Sequence, residues 1–313
     1  MENSREPSLT ALASAAARAA HLIVDHEPLI FSDTLAATFL ADRAEELLSY
    51  HRSHGSHPVL AGARATATTR SRYTEDRLAG ALRRGVRQYV ILGAGLDSFA
   101  YRSPLARDLR VIEADHPGTQ RWKRRMLAAT GTAALGDLRY AETDLEETAL
   151  AGQLARAGLD FSRPALVSLL GVTMYLTRAA IAGTLAVVGR CAPGTELIAE
   201  YAVPADLQDP RGREYARLVA PALAERGEPW RTFLDPAEMS ALLDQHGFGE
   251  VTNVGPHDMV DGSLWNRTDA LRATRLFQLA DGLVAGRDVS TDPLAPPGRF
   301  RGDPRAAQGR GGW

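Results

Sequence analysis

The segment 90–102, VILGAGLDSFAYR, holds the residues whose spacing speaks most directly to chemistry. Tyr89-Val90-Ile91-Leu92 reads as a short buried strand, and it runs into Gly93-Ala94-Gly95 ahead of a helix. Glycines in such a turn let a ligand lie against bare backbone at a helix N-terminus. Taken alone, Gly-x-Gly is read more plainly as a tight strand-to-helix turn. A dinucleotide site usually adds a third glycine that packs the helix around a pyrophosphate. Here position 98 is Ser, and Asp97 puts a negative charge inside the turn. A carboxylate is a poor neighbour for a diphosphate and an acceptable one for a ligand bearing cationic groups.

S-adenosylmethionine is such a ligand, with a sulfonium, an ammonium and no phosphate, so the turn favours it over NAD. Eighteen residues past Gly95, a second strand ends in Glu113-Ala114-Asp115-His116-Pro117. A carboxylate there is placed to grip a ribose diol. Its other reading is a cap for a helix that starts at Pro117. Residue types alone do not separate Glu113 from Asp115 for the ribose role.

These motifs need strands and helices to hold them. Apolar runs recur at 109–112, 165–170 and 196–199, with a weaker one at 139–143, and helical stretches fill 117–129, 147–157 and 177–190. That alternation predicts βαβ units and a parallel sheet with helices on both faces. Before it, residues 1–85 read as helical, with Thr10 as a candidate cap, a second helix starting near Ser32 or Asp33, and a third over 61–84. After it come a charged helix over 208–226, a helix opening at Asp235-Pro236, and strand candidates at 248–254 and 273–280. Residues 287–313 are rich in Pro, Gly and Arg without apolar periodicity, which predicts a disordered tail.

Three stretches, Thr69-Arg70-Ser71-Arg72-Tyr73, VILGAGLDSFAYR and EADHPGTQRWKRRML, together resemble the leucine carboxyl methyltransferase-like family, which includes bacterial polyketide O-methyltransferases and many actinobacterial members. Asp144-Leu145 after the third strand and Gly171 with Tyr175-Leu176 after the fourth extend the resemblance over residues 20 to 205. It implies a Rossmann-like class I methyltransferase fold: a mostly parallel, seven-stranded α/β sheet with helices on both faces. It also implies an N-terminal helical lid over 1–85 on an S-adenosylmethionine-binding domain over 86–286. Carried to this chain, Arg70 would pair bidentately with the cofactor's carboxylate. Gly93, Ala94, Gly95 and Asp97 would form the turn around the methionine portion. Asp115 would bind the ribose with support from Glu113, Asp144 would accept from the adenine amino group, and Leu145 would add an amide and an apolar contact. One departure stands out: relatives usually carry Glu immediately before the glycine after the fourth strand, and this chain has Leu170.

The expected activity is S-adenosylmethionine-dependent methyl transfer, as O-methylation of a carboxylate or hydroxyl on a small molecule. The competing expectations are an NAD(P)-dependent oxidoreductase and a methyltransferase-like module that binds without turnover. Tyr175 is the candidate acceptor-pocket residue, with core packing as its other reading, and Tyr201 is a weaker one. His51, His54 and His57 lack a cysteine or acid to complete a metal site and read as solvated loop histidines. The Arg121–Arg125 run reads as a solvated helix face. A net charge of −2 offers no nucleic-acid footprint. Cys191, the only cysteine, excludes an internal disulfide. No stretch approaches 18 uncharged apolar residues, so a cytoplasmic protein with no membrane partner is expected. The oligomeric state is left open.

Overall fold

The computed structural model describes residues 8–147 and 149–286; the tail predicted to be disordered lies outside them. Helix α1 (Leu9–Val24) is capped by Ser8, whose hydroxyl accepts from the amide of Ala11, so the cap falls two residues before Thr10. The apolar spacing read as one second helix is split between a 3₁₀ segment, Ala36–Arg43, and α2 (Ala44–His54), with Ala41 at φ 53° breaking the run. Helix α3 (Pro58–Arg83) follows, with Pro58 in its first turn, where the missing N–H costs nothing.

The α/β core then alternates as expected: β1 (Gln88–Leu92), a single turn α4 (Phe99–Arg102), β2 (Arg110–Asp115), α5 (Pro117–Thr130), β3 (Asp137–Glu142), α6 (Leu150–Arg156), β4 (Leu166–Leu169), α7 (Arg178–Val188) and β5 (Glu196–Ala202). Next come α8 (Pro210–Ala224), α9 (Pro236–Gln245), β6 (Phe248–Val254) and β7 (Phe277–Val284). The last strand lies four residues beyond the stretch expected from sequence, because its register is set by antiparallel pairing with β5, Glu196 opposite Leu283.

The sheet order is β3-β2-β1-β4-β5-β7-β6, parallel except at β7. Strand β1 shows why it sits at the centre. Tyr89 and Ile91 pack into one apolar cluster with α1 and α3, while Val90 and Leu92 pack into a second with α6, α7 and α9. A strand covered on both faces reads as a continuous apolar run. Strand order reverses between β1 and β4, and in an open α/β sheet a crevice forms at the carboxyl ends of the strands at that point.

Candidate active site

A cavity of about 760 Å³ occupies that crevice, within the range of small-molecule and cofactor sites. Gly93 and Gly95 have φ of 65° and 49°, which glycine adopts without strain. A Cβ on Gly93 would lie 2.3 Å from a methyl of Val172, so the backbone there is bare by necessity. The amides of Gly93 and Ala94 both donate to the Ala114 carbonyl, at 2.8 and 3.2 Å, which ties the turn to the end of β2. Asp97 accepts from the Phe99 amide at 2.7 Å and still lines the cavity. Arg18 of α1 reaches across and donates to the Leu96 carbonyl at 2.7 Å.

The two acids of β2 separate cleanly. Asp115, the last residue of the strand, lines the cavity and accepts from the backbone amides of Gly95 and of His116. Burial raises its pKa, and those amides with Lys123 and His116 oppose the rise. Glu113 does not reach the cavity, which corrects its expected support of the ribose. It lies two strand residues back, about 6.6 Å, fully buried under α5 with Lys123 Nζ at 2.8 Å. Burial pushes its carboxyl up to about 7, with Lys123 opposing. The predicted solvated face over 121–125 is interrupted by that inward-pointing lysine.

Apart from Glu113 and the weaker candidate Tyr201, every predicted site residue lines the cavity: Arg70, Gly93, Ala94, Gly95, Asp97, Asp115, Asp144, Leu145, Leu170 and Tyr175. Asp144 accepts from the Glu146 amide at 2.9 Å and is exposed at the cavity edge. Leu170 presents an apolar side chain there and packs against the core. Arg70 departs from the simplest expectation, because one terminal nitrogen already bonds Glu200, a fully buried carboxylate at the end of β5. Its other terminal nitrogen donates to Ser14 Oγ at 3.0 Å. Gly171, at φ 70°, gives the guanidinium room: a Cβ there would sit 2.9 Å from Arg70 Nη1.

Sequence reasoning missed Glu200, Ser14, Arg18 and the loop 226–231. Glu200 was signalled by an acid continuing the apolar run Leu197-Ile198-Ala199, and Ser14 and Arg18 by their i, i+4 spacing in an alanine helix. Tyr201, by contrast, is buried and donates its hydroxyl to Asn253 at 2.7 Å, away from the cavity. His51 is also buried, not solvated, and meets Arg64 at 3.3 Å. Among the described residues no group of three His, Cys, Asp or Glu could hold a metal, and no helix is long and apolar enough to cross a membrane.

Arg18 and Arg70, the acids Asp115 and Asp144 and the bare backbone of Gly93 and Gly95 line one cavity, a set of groups that fits the carboxylate, the ribose hydroxyls and the sulfonium link of S-adenosylmethionine. The sequence profile of the leucine carboxyl methyltransferase family matches residues 11–189. The chain belongs to this family. A curated relative from Bacillus subtilis, YktD, is 30% identical over 290 residues, covering 86% of this chain and 95% of its own. Another from Parafrankia is 32% identical over 247 residues, covering 76% of each. Both names place them provisionally among S-adenosyl-L-methionine-dependent methyltransferases. The fold is also that of a provisionally assigned methyltransferase from Thermobifida fusca, at TM-score 0.56 and 19% identity over 90% of this chain and 97% of the other. A Streptomyces avermitilis protein aligns at TM-score 0.57 and 18% identity, over 90% and 99%. This leucine carboxyl methyltransferase family member is a methyltransferase with S-adenosylmethionine as its cofactor. The oxidoreductase alternative has no support from these relatives.

Proposed function

We propose that the chain transfers a methyl group to a carboxylate or hydroxyl oxygen of a small molecule, with Tyr175 at the acceptor. The observation that carries this reading is the polar stretch of the cavity lining made by Tyr175 and the loop 226–231. There Tyr175 faces the loop 226–231, whose Arg226, Glu228 and Arg231 line the same space. S-adenosylmethionine, when bound, supplies a methyl carbon already activated by its sulfonium.

The chain's own work is alignment and exclusion of water. Burial raises the Tyr175 pKa, so its hydroxyl stays protonated and serves as a hydrogen-bond donor to an acceptor oxygen rather than as a base. Glu228 is held by the Thr10 amide at 3.3 Å and is the acid nearest to hand for a proton from a hydroxyl acceptor. A carboxylate acceptor is ionised at neutral pH and needs no base; Arg226 and Arg231 would face its charge. The N-terminal helices act as the lid, since α1 contributes Leu9, Thr10, Ala11 and Ser14 to the cavity wall.

The test is a methyl-transfer assay with labelled S-adenosylmethionine over a panel of small carboxylic acids, phenols and alcohols set beside amines, thiols and carbon acids. Methyl esters are expected to be released by mild alkali and methyl ethers to resist it. Label found only on nitrogen, sulfur or carbon acceptors would sink the oxygen-acceptor reading.

A further inference from the structure

Ser14 Oγ accepts from two guanidinium groups at once, Arg70 Nη2 at 3.0 Å and Arg18 Nη1 at 3.1 Å. Two such bonds to one atom keep those nitrogens within about 6 Å of each other. Each positive charge has a buried counter-ion: Glu200 for Arg70, and for Arg18 Asp33 at 2.8 Å, which Arg102 shares at 3.5 Å. Arg18, Arg70 and Ser14 line the cavity, and the two acids do not.

The donors can be counted. Arg18 commits one hydrogen each to Asp33, to Ser14 and to the Leu96 carbonyl, and Arg70 commits one each to Glu200 and Ser14. A guanidinium has five N–H donors, so both keep hydrogens in reserve. A hydroxyl has two acceptor lone pairs, and both of Ser14's are taken. Ser14 can therefore only donate, and among the described residues its hydroxyl donates to no other group. Toward the cavity Arg18, Arg70 and Ser14 present donors and positive charge, while the unpaired oxygen of Glu200 is buried and does not line it, so the corner suits an anion better than an ammonium.

We infer that Arg18 and Ser14 of α1 join Arg70 in a two-arginine clamp on the carboxylate of the cofactor's methionine moiety. The inference rests on reading this cavity as the cofactor site. It makes α1 part of the cofactor site as well as a cover for the acceptor. Each arginine keeps one hydrogen on each terminal nitrogen beyond these bonds, so the two together can meet both oxygens of a carboxylate. The competing role for Arg18 is structural, stapling α1 to the glycine turn through Leu96.

Calorimetric titration of the full chain with S-adenosylhomocysteine and with 5′-methylthioadenosine separates the two roles, since the second ligand keeps the adenosine and lacks the amino acid. Arg18→Gln is expected to weaken S-adenosylhomocysteine about ten- to a hundredfold, the loss of a charge-assisted contact, and to leave 5′-methylthioadenosine within about threefold of wild type. Arg18→Lys keeps an ion pair for Asp33, and so the fold, yet cannot reproduce the planar fork. It should still lose S-adenosylhomocysteine affinity selectively, about fivefold or more. Equal losses for both ligands, or wild-type affinity for S-adenosylhomocysteine in Arg18→Lys, would overturn the clamp. Wild-type protein that binds neither ligand would instead bring down the cofactor-site reading itself.

Discussion

Lys123 Nζ lies 2.8 Å from Glu113 Oε2, with both side chains withdrawn from solvent. The other basic residues of this chain are all arginines, so its only lysine sits beneath the sheet's α5 side, paired with an acid that the cavity never touches. Removing one partner of a buried pair strands the other charge, which is the costly change. Lys123→Met is expected to destabilise the fold by about 3–5 kcal/mol. Adding Glu113→Leu to it should recover most of that loss. Urea unfolding of the single and double variants decides the matter; a double variant no more stable than Lys123→Met would show that the pair's shape, and not its charge, matters.

Asp115 is the acid of β2 that lines the cavity. Asp115→Ala should weaken S-adenosylhomocysteine and 5′-methylthioadenosine alike, about ten- to a hundredfold, because both carry the ribose. That common loss contrasts with the selective one expected at Arg18, and wild-type affinity for either ligand would remove Asp115 from the site.

Gly171 is a packing requirement for Arg70. A Cβ would arrive 2.9 Å from Nη1, at a φ of 70° that side chains tolerate poorly. Gly171→Ala is expected to cost about 1–2 kcal/mol in thermal or urea stability. It should also weaken S-adenosylhomocysteine about tenfold by pushing the guanidinium aside. Full affinity in a folded Gly171→Ala protein would mean that Arg70 does not hold the ligand from this position.

Acid stability should carry the mark of His51. Burial first, and then Arg64, lowers its pKa from 6.5 to about 4, with Asp25 opposing. The unfolded chain therefore binds more protons than the folded one between those values, and stability falls as pH drops through that window. The contribution reaches about 3 kcal/mol at most. His51→Gln should flatten the slope of thermal midpoint against pH between about 4 and 6.5; an unchanged slope would assign the acid sensitivity to other groups. The lowered pKa values of Asp25 and Asp33, set by burial against their arginine and histidine partners, act below that window.

Much of the cofactor end was legible because its residues sit at strand ends, where chain order and position in space coincide. The glycine turn, Asp115 and Leu170 each follow an apolar run that reads as a buried strand, whereas Asp144 follows the weaker run of β3, the sheet's edge strand, and was reached through family resemblance. Arg70 was reached through family resemblance, since nothing in the local pattern of a long helix says which arginine faces a cavity. Glu113 misled because alternation sends residues two apart to the same side of a strand, and only depth below the sheet's edge separates a ligand contact from a buried pair. The loop 226–231 begins where the charged helix read over 208–226 ends, and only folding carries Glu228 to the amide of Thr10.

By itself the amino-acid order determined the parallel sheet, its helical layers and the glycine turn after the first strand, because periodicity and glycine placement are local properties of the chain. Tertiary structure alone decided which charges face the cavity. Glu200, Ser14 and Arg18 come from segments far from Arg70 in sequence, and a charge acquires its partner and its dielectric surroundings only when those segments pack.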